Sequence, residues 1–511
     1  MTTTTLPRLT RSHLATVRAE LGRVVDMPSE ALLELPERVV QFGTGGFLRG
    51  FLDDFIHRAN VQGTFDGRIV AVGSTGSNRD RALTEQDGLY TLVVEGIENG
   101  QQMQEVRVIS SLSRALSAVD DWQGVLEVAR NPELKYVFSN TTEVGIMLHP
   151  TDGPDDAPPS SFPAKLTRFL YERGRTFGYD EAHGVTVVPC ELIENNGDKL
   201  KDIVLALAER WELGEDFYNW VSDEVPFCNT LVDRIVPGAP RDESIERLNN
   251  LLGYEDALLT CCEPYRLLAI EGGDELRSKL TWASADPGII IAQDIAPYRK
   301  RKVHLLNGAH TLFIPVALQM GFELVRDAIN DPSIGKFVYH AMHTEIAPTL
   351  NVEGADAFAD AVLDRFRNPF IKHALFDITL QAVMKTRVRI VPTIQRYIAE
   401  KGEVPQSLAF GFAAFLLFAQ GKRQAERKAQ GLKVPADDQI AQLQAHWEGF
   451  PEDASAPVDG LVEAVCRDAT LWGVDLTQQP GFCEAVAQHL SRMRTQGMRV
   501  ALEHHIEASV T

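Results

Sequence analysis

Residues 38–51 read Arg38-Val39-Val40-Gln41-Phe42-Gly43-Thr44-Gly45-Gly46-Phe47-Leu48-Arg49-Gly50-Phe51. The first five predict a short buried strand. Apolar residues at 47, 48, 51, 52, 55 and 56 predict an amphipathic helix over 47–56. Gly43-Thr44-Gly45 lies directly between the two. A strand, a glycine turn and a helix in that order let backbone N–H groups and the helix start meet a pyrophosphate. Leu48 stands where the usual fingerprint has its third glycine, so the motif is incomplete. Its weight comes from opening the first βα unit.

Working outward, 10–35 reads as helical up to Pro36, 69–72 as a second strand, and 90–94 and 106–109 as β-ribbon. A helix near 119–130, strands at 136–138 and 185–188, and a loop over 149–163 with five prolines and three aspartates follow. Strands alternating with helices imply a mostly parallel sheet. From about Asp294 helical periodicity takes over, through 303–320, 323–330, 355–366, 370–395, 407–419, 437–448, 458–472 and 481–507. The expected fold class is therefore α/β. A Rossmann-like nucleotide-binding domain (residues 1–293) precedes an all-α substrate-binding and catalytic domain (residues 294–511).

With 511 residues the chain is long enough for two cores. The opening MTTTTLPRLTRSHL has no apolar stretch suited to secretion, and Leu408–Ala419 is too short to cross a bilayer. A cytoplasmic protein is expected. Its six cysteines include no CxxC, which argues for free thiols and against a zinc site; no metal is expected. The formal charge of −21 disfavours nucleic acid and anionic membrane as partners. An acidic substrate would then need a locally basic pocket. A carboxylate at the end of the second strand would hold a ribose hydroxyl, but Val72-Gly73-Ser74-Thr75 carries none, so the motif does not decide between NAD and NADP.

Lys302, Asn307 and His310 stand five and eight residues apart. On an α-helix those steps place the second and third within roughly 140° and 80° of the first. A lysine can take a hydroxyl proton as hydride leaves, while an amide and an imidazole hold the developing alkoxide. Spacing alone fits a blander reading as well, in which Lys302 ends the surface run Arg299-Lys300-Arg301 and His310 is a packed core histidine.

Together these residues resemble the polyol-specific long-chain dehydrogenases, the mannitol dehydrogenase family. Its Lys-x4-Asn-x2-His motif is matched by Lys302, Asn307 and His310, and its GxGxFxR turn by Gly43, Gly45, Phe47 and Arg49. The strings QFGTGGFLRGF (41–51), VFSNTTEVGI (137–146), PCELIENNGDKL (189–200), NTLVDRIVPGAPRDE (229–243), RKVHLLNGAHT (301–311) and RFRNPFIKH (365–373) are similar to its sugar-acid branch. The resemblance runs from about residue 36 to the C-terminal end. It implies NAD as cofactor, bound at Gly43, Thr44, Gly45, Gly46, Phe47, Leu48 and Arg49 and bordered by Ser139, Asn140 and Thr141. It implies Lys302 as general base, Asn307 and His310 as orienting residues, and Asp233 and Arg365 as pocket lining.

Mannitol dehydrogenases place an asparagine where this chain has Leu192. Either Asn307 holds the alkoxide alone or Asn196 contributes from the same loop. The basic groups Arg365/Arg367, Lys372/His373 and Lys385/Arg387/Arg389 suit a uronate carboxylate. The expected reaction is reversible hydride transfer between NAD(H) and a hexonate/ketouronate pair. The closest rival is the D-fructuronate/D-mannonate pair, a polyol such as mannitol or arabinitol is a further possibility, and a non-catalytic NAD-binding regulator is the alternative from another class. The sequence sets no oligomeric state; members of the family often work as monomers.

Overall fold

The computed structural model describes residues 6–22, 25–74, 78–142, 145–240 and 243–509. The chain divides into two compact units. The first comprises Met1–Glu95 and Gln102–Ile295, the second Gly96–Gln101 and Ala296–Thr511.

The first unit contains a five-stranded sheet. Its strands are β1 (Glu37–Phe42), β2 (Arg68–Gly73), β5 (Leu112–Ser117), β6 (Tyr136–Ser139) and β7 (Thr186–Pro189). Their order is β5-β2-β1-β6-β7, and every neighbouring pair is parallel. Both faces are covered, which is why the strands read as unbroken apolar runs rather than alternating ones. Val39, Ile69 and Phe138 enter one core with Phe51, Phe55 and Trp282. Val40, Val70 and Val137 enter the opposite core with Phe169 and Trp220. The chain leaves β1 for β2 on one side and later returns to place β6 on the other. The sheet therefore reverses direction between β1 and β6, where an open α/β sheet offers its crevice.

The ribbon strands β3 (Tyr90–Glu98) and β4 (Gln101–Ile109) join a second sheet in the order β4-β3-β9, with β9 at Thr260–Cys262. Asn99 and Gly100 both have positive φ, as a two-residue turn between twisted strands requires. A third sheet, ordered β11-β10-β8, contains β8 (Thr230–Asp233), β10 (Leu267–Glu271) and β11 (Ile289–Ala292).

Two helices expected here are interrupted. Among the described residues of 10–35 there is a helix at Arg11–Leu21, then a short 3-10 turn at Glu30–Glu34; Gly22 and Pro28 intervene. The 47–56 helix is split into Gly46–Arg49 and Leu52–Gln62 because Phe51 leaves helical geometry (φ −139°, ψ −87°). Its ring is fully buried between Phe47 and Phe55, with centroids 5.0 Å from each. Asp54, in the first turn of Leu52–Gln62, is fully buried among three guanidinium groups: Arg58 at 3.2 Å, Arg107 at 2.9 Å and Arg234 at 3.0 Å. Their charges, led by Arg58 and Arg234, outweigh the penalty of burial and hold its carboxyl well below the usual range.

In the second unit every described element of Ala296–Thr511 is helical. Its centre is Gln406–Ala419, in which all residues from Ser407 to Ala419 are buried. That accounts for the apolar stretch noted in the sequence, and no described helix is long and apolar enough to cross a membrane. The carboxylate of Glu345 accepts from Ser407 N (2.7 Å) and Leu408 N (2.9 Å), satisfying amides that a helix start leaves open. The expected 370–395 helix is instead a 3-10 turn (Leu375–Thr379) and two helices, Ala382–Arg389 and Val391–Lys401. Gln381, at φ 54°, breaks the run. Helices Pro332–His340 and Gly421–Ala429 were not anticipated from the sequence.

Candidate functional site

The glycine turn follows β1, and Ser139-Asn140-Thr141 follows β6, so both candidate cofactor segments lie at the reversal point of the sheet. They touch: Asn140 N donates to Phe42 O at 3.2 Å. Gly43 has φ +133°, and a Cβ there would stand 3.2 Å from Asn140 O and 3.0 Å from Leu48 Cδ1. Only glycine fits that position without strain. At Gly45 a Cβ would meet nothing within 4 Å, so this stretch of backbone is open to an approaching group.

Not all of residues 43–49 face outward. Leu48 is buried in the core, and the guanidinium of Arg49 is turned inward. It donates to Thr44 O (2.6 Å) and Thr260 Oγ1 (3.2 Å). Tyr90 in turn donates to Arg49 O (2.7 Å) and Asp53 Oδ2 (3.3 Å). Full burial pushes Asp53 up to about 7, against the field of Arg49. Arg49 and Leu48 thus brace the turn from behind, a correction to reading their side chains as cofactor contacts.

An acid from beyond the end of β2 braces the glycine turn. Asp80, in the first turn of Asn78–Glu85, returns to accept from Thr44 Oγ1 at 2.8 Å. It lies so close to Gly73 that a Cβ there would fall 1.9 Å from its Oδ2. The only sequence signal was an acid shortly after the strand, displaced by a turn.

Glu191 is a second residue that belongs to no motif. Its carboxylate accepts from Ser139 Oγ (3.1 Å), Thr141 N (2.9 Å) and Thr141 Oγ1 (3.2 Å), tying down the segment after β6. Asn140 Nδ2 donates to Cys190 O at 2.7 Å. Glu143, the other acid of this stretch of sequence, lies outside the described residues.

Asn196 requires a correction. Its Nδ2 serves Pro189 O (3.0 Å), Glu191 O (3.2 Å) and Thr230 Oγ1 (2.9 Å), while its Oδ1 accepts from Thr230 N (2.8 Å) and Gly197 N (2.9 Å). A fully buried amide with its donors and acceptor engaged is a clamp between the β7 loop and β8, with nothing left for a substrate oxygen. Leu192 is exposed. Asp233 closes β8 and is buried.

In the second unit, Lys302–Asn307 forms a π-helix, preceded by helix Ala296–Arg301 and followed by Gly308–Gln319. The α-helical angles assumed for the sequence therefore do not apply. An i→i+5 ladder puts residue i+5 one turn above residue i, so Asn307 stands above Lys302. His310 follows three residues later with α-helical pitch, on the same side. The basic run is not a loose surface face either: Lys300 Nζ donates to Leu350 O (2.7 Å), and Arg301 covers the Phe358 ring at 4.7 Å.

His310 is 7% exposed, packed on Phe366 (centroids 4.2 Å) and edge-on to His373 (5.3 Å). The core-histidine reading thus describes its packing, yet its Nε2 is buried with no hydrogen-bond partner among the described residues. Burial first, then the charges of His373, Arg365, Arg389 and Lys385, hold the ring well below its ordinary value, hence neutral. Arg365 is buried near the end of Ala355–Arg367. Arg389 Nη1 donates to Thr311 Oγ1 (3.2 Å) and Asn307 O (3.4 Å), linking the motif to helix Ala382–Arg389.

A sequence model described as the Mannitol dehydrogenase Rossmann domain matches residues 37–284, and one for the Mannitol dehydrogenase C-terminal domain matches residues 294–494. The chain belongs to the mannitol dehydrogenase family, whose fold of Rossmann-like sheet and helical domain it has, and it is an oxidoreductase. Among curated relatives, the altronate oxidoreductase of Bacillus subtilis (strain 168) is 40% identical over 472 residues, covering 92% of this chain and 96% of that protein. The altronate oxidoreductase of Pectobacterium atrosepticum is 42% identical over 473 residues, with the same coverage. Among solved structures, mannitol 2-dehydrogenase of Pseudomonas fluorescens, in a ternary complex with NAD and D-mannitol, has a TM-score of 0.67 at 24% identity, covering 98% of this chain and 99% of that one. A D-sorbitol dehydrogenase reaches 0.76 at 22% identity, covering 97% and 100%. At those identities the likeness is one of fold.

Proposed function

We propose that the chain interconverts D-altronate and D-tagaturonate by NAD-dependent hydride transfer, as a cytoplasmic enzyme. The observation that carries the reading is the set Lys302, Asn307 and His310 on one side of a continuous helical rod. It stands in a chain 40–42% identical, over 92% of its length, to altronate oxidoreductases.

The first unit supports the cofactor half. The open backbone at Gly45 and the strained, Cβ-intolerant Gly43 leave room for a pyrophosphate, with Thr44, Gly46 and Phe47 around it and Ser139-Asn140-Thr141 bordering the nicotinamide side. Bound NAD would supply the hydride acceptor. Asp80 and Glu191 act behind these segments by fixing Thr44 and Thr141.

The second unit supports the proton half. Lys302 takes the proton of the substrate hydroxyl in oxidation and returns it in reduction. The Asn307 amide donates to the oxygen as charge develops there. His310, neutral and lacking a partner at Nε2, offers a second hydrogen bond. The surrounding cations favour a developing alkoxide. In this reading Lys302 carries the proton without zinc, as the Lys302, Asn307 and His310 set implies. Arg365 and Asp233 remain candidates for substrate contact.

NADH consumption with D-tagaturonate, D-fructuronate and D-fructose side by side tests the reading. Preference for tagaturonate supports it. Preference for fructose refutes the sugar-acid assignment, and turnover of fructuronate corrects the sugar while retaining the mechanism.

A further inference from the structure

Of the basic residues that could receive a carboxylate, the structure sorts those near His310 from those that are not. Lys372 is exposed, and Arg387 extends toward Thr470 O (3.4 Å) against Gly473. Arg367 lines a separate cavity of about 710 Å³ with Lys336 and His340. Lys385 and Arg389, by contrast, sit four residues apart on helix Ala382–Arg389, on one face. Both lower His310 through their charge, after His373 and Arg365, which are committed to the packing around that ring, and Arg389 does so more strongly than Lys385.

We propose that Lys385, with Arg389 beside it, is the anchor for the substrate's carboxylate, and that this pair makes the enzyme select a sugar acid over a neutral sugar. The proposal rests on the sugar-acid reading above and deepens it. Arg389 is already fixed to Thr311 and to the backbone of Asn307, so an anion it holds is in register with the catalytic motif. Lys385 is the outer member. It donates one hydrogen bond, to Ile378 O at 2.9 Å, and keeps two more N–H donors.

Among the described residues neither cation is within ion-pairing distance of a carboxylate. The acid whose field reaches Lys385, Asp437, is engaged with the backbone amides of Val383 (2.8 Å) and Gln439 (2.9 Å). Two half-buried cations one turn apart repel each other, and burial and Arg389 together lower the Lys385 ammonium. A carboxylate would relieve both costs. The unpartnered Nε2 of His310, in a ring 7% exposed, is where the reacting oxygen would lie. A hexonate carries its carboxylate several carbons from that oxygen, so the anchor and the orienting groups are different residues.

Lys385→Met keeps length and removes the charge, whereas Lys385→Arg keeps the charge. KM and kcat would be measured for D-tagaturonate and D-fructose, and D-altronate binding would be followed by calorimetry, in the native enzyme and both variants. Lys385→Met should raise KM for tagaturonate and weaken altronate binding roughly 10- to 100-fold, the range for a hydrogen bond to a charged group. The rise in KM for fructose should be at least roughly tenfold smaller than that for tagaturonate, and Lys385→Arg should recover most of the loss. Equal losses on both sugars, or no loss of altronate binding, would overturn the anchor. A native enzyme that binds altronate but turns over no sugar acid refutes the functional reading and leaves the anchor to be judged by calorimetry. A native enzyme that binds no hexonate overturns both.

Discussion

Thr44, in the turn after β1, and Asp80, beyond the end of β2, are joined by a hydrogen bond of 2.8 Å between buried side chains. The two segments that would face the dinucleotide are thereby set by one contact, and the turn is held at the position its glycines make accessible. Asp80→Ala should raise the NADH dissociation constant about tenfold, the scale of a lost hydrogen bond to a carboxylate, with a smaller effect on kcat. Thr44→Val should do much the same, and the double variant should cost little more than either. Fluorescence titration with NADH checks this; additive losses would show that the two residues act separately.

Lys302→Ala should lower kcat by roughly 10²- to 10⁴-fold, the usual worth of a positioned proton acceptor, while NADH affinity stays at the native value. Single-turnover kinetics with the preferred sugar acid would measure it. A variant retaining more than a tenth of native turnover would remove Lys302 from the role of base.

Two glycines of the second unit should respond oppositely to the same change. A Cβ at Gly411, in the central helix, would fall 2.1 Å from Leu312 Cδ1 and 3.0 Å from Leu312 O. Gly411→Ala should therefore destabilise by about 1–3 kcal/mol through overpacking. At Gly308 the nearest neighbour of a new Cβ is Val303 O at 3.6 Å, an ordinary contact. There alanine should be neutral or stabilising by up to about 1 kcal/mol, since glycine weakens a helix. Thermal melts of the two variants would separate them, and equal shifts would contradict the packing described.

The second unit also buries a histidine group. His505 Nε2 shares a hydrogen bond with Ser407 Oγ (3.2 Å), and its ring stacks on Phe410 (5.0 Å) beside His489 (5.4 Å). Burial, with help from neighbouring cations, lowers His489 to about 4 and His505 to about 3. Both are neutral when folded, and the unfolded chain takes up protons first, near 6.5. Their contribution to stability is therefore complete above pH 6.5 and is lost as pH falls toward 4. The apparent Tm should drop across that window, and His505→Phe should flatten the drop. An unchanged slope would mean that other groups set the acid lability.

How far these features could be read in advance depended on how local their causes are. The strand at 38–42, the buried helix around Leu408 and the glycine turn were legible because each is an uninterrupted apolar run or a glycine in a fixed context. The break at Phe51 was not: its apolar pattern continues through the kink, where the ring stacks on Phe47 and meets Phe55 edge-on. Lys302 and Asn307 were picked out by residue type, but a periodicity of 3.6 hides a π turn, whose extra residue is what aligns them. Asn196 failed as a candidate for a tertiary reason, since only the folded chain shows that Pro189, Glu191 and Thr230 saturate its amide. Asp80 was not legible because its carboxylate arrives from the next helix and not from the strand's last residue.

The buried Asp54 with Arg58, Arg107 and Arg234 has a consequence for the history of the chain rather than for its chemistry. An isolated charge left in that position costs about 3–5 kcal/mol, whereas replacing a whole buried set with apolar side chains can be neutral. A lineage could thus abandon the cluster only through intermediates that are barely folded. The four positions, spread over the chain from 54 to 234, should drift together or not at all, and their joint retention in a descendant would say nothing about which sugar it reduces.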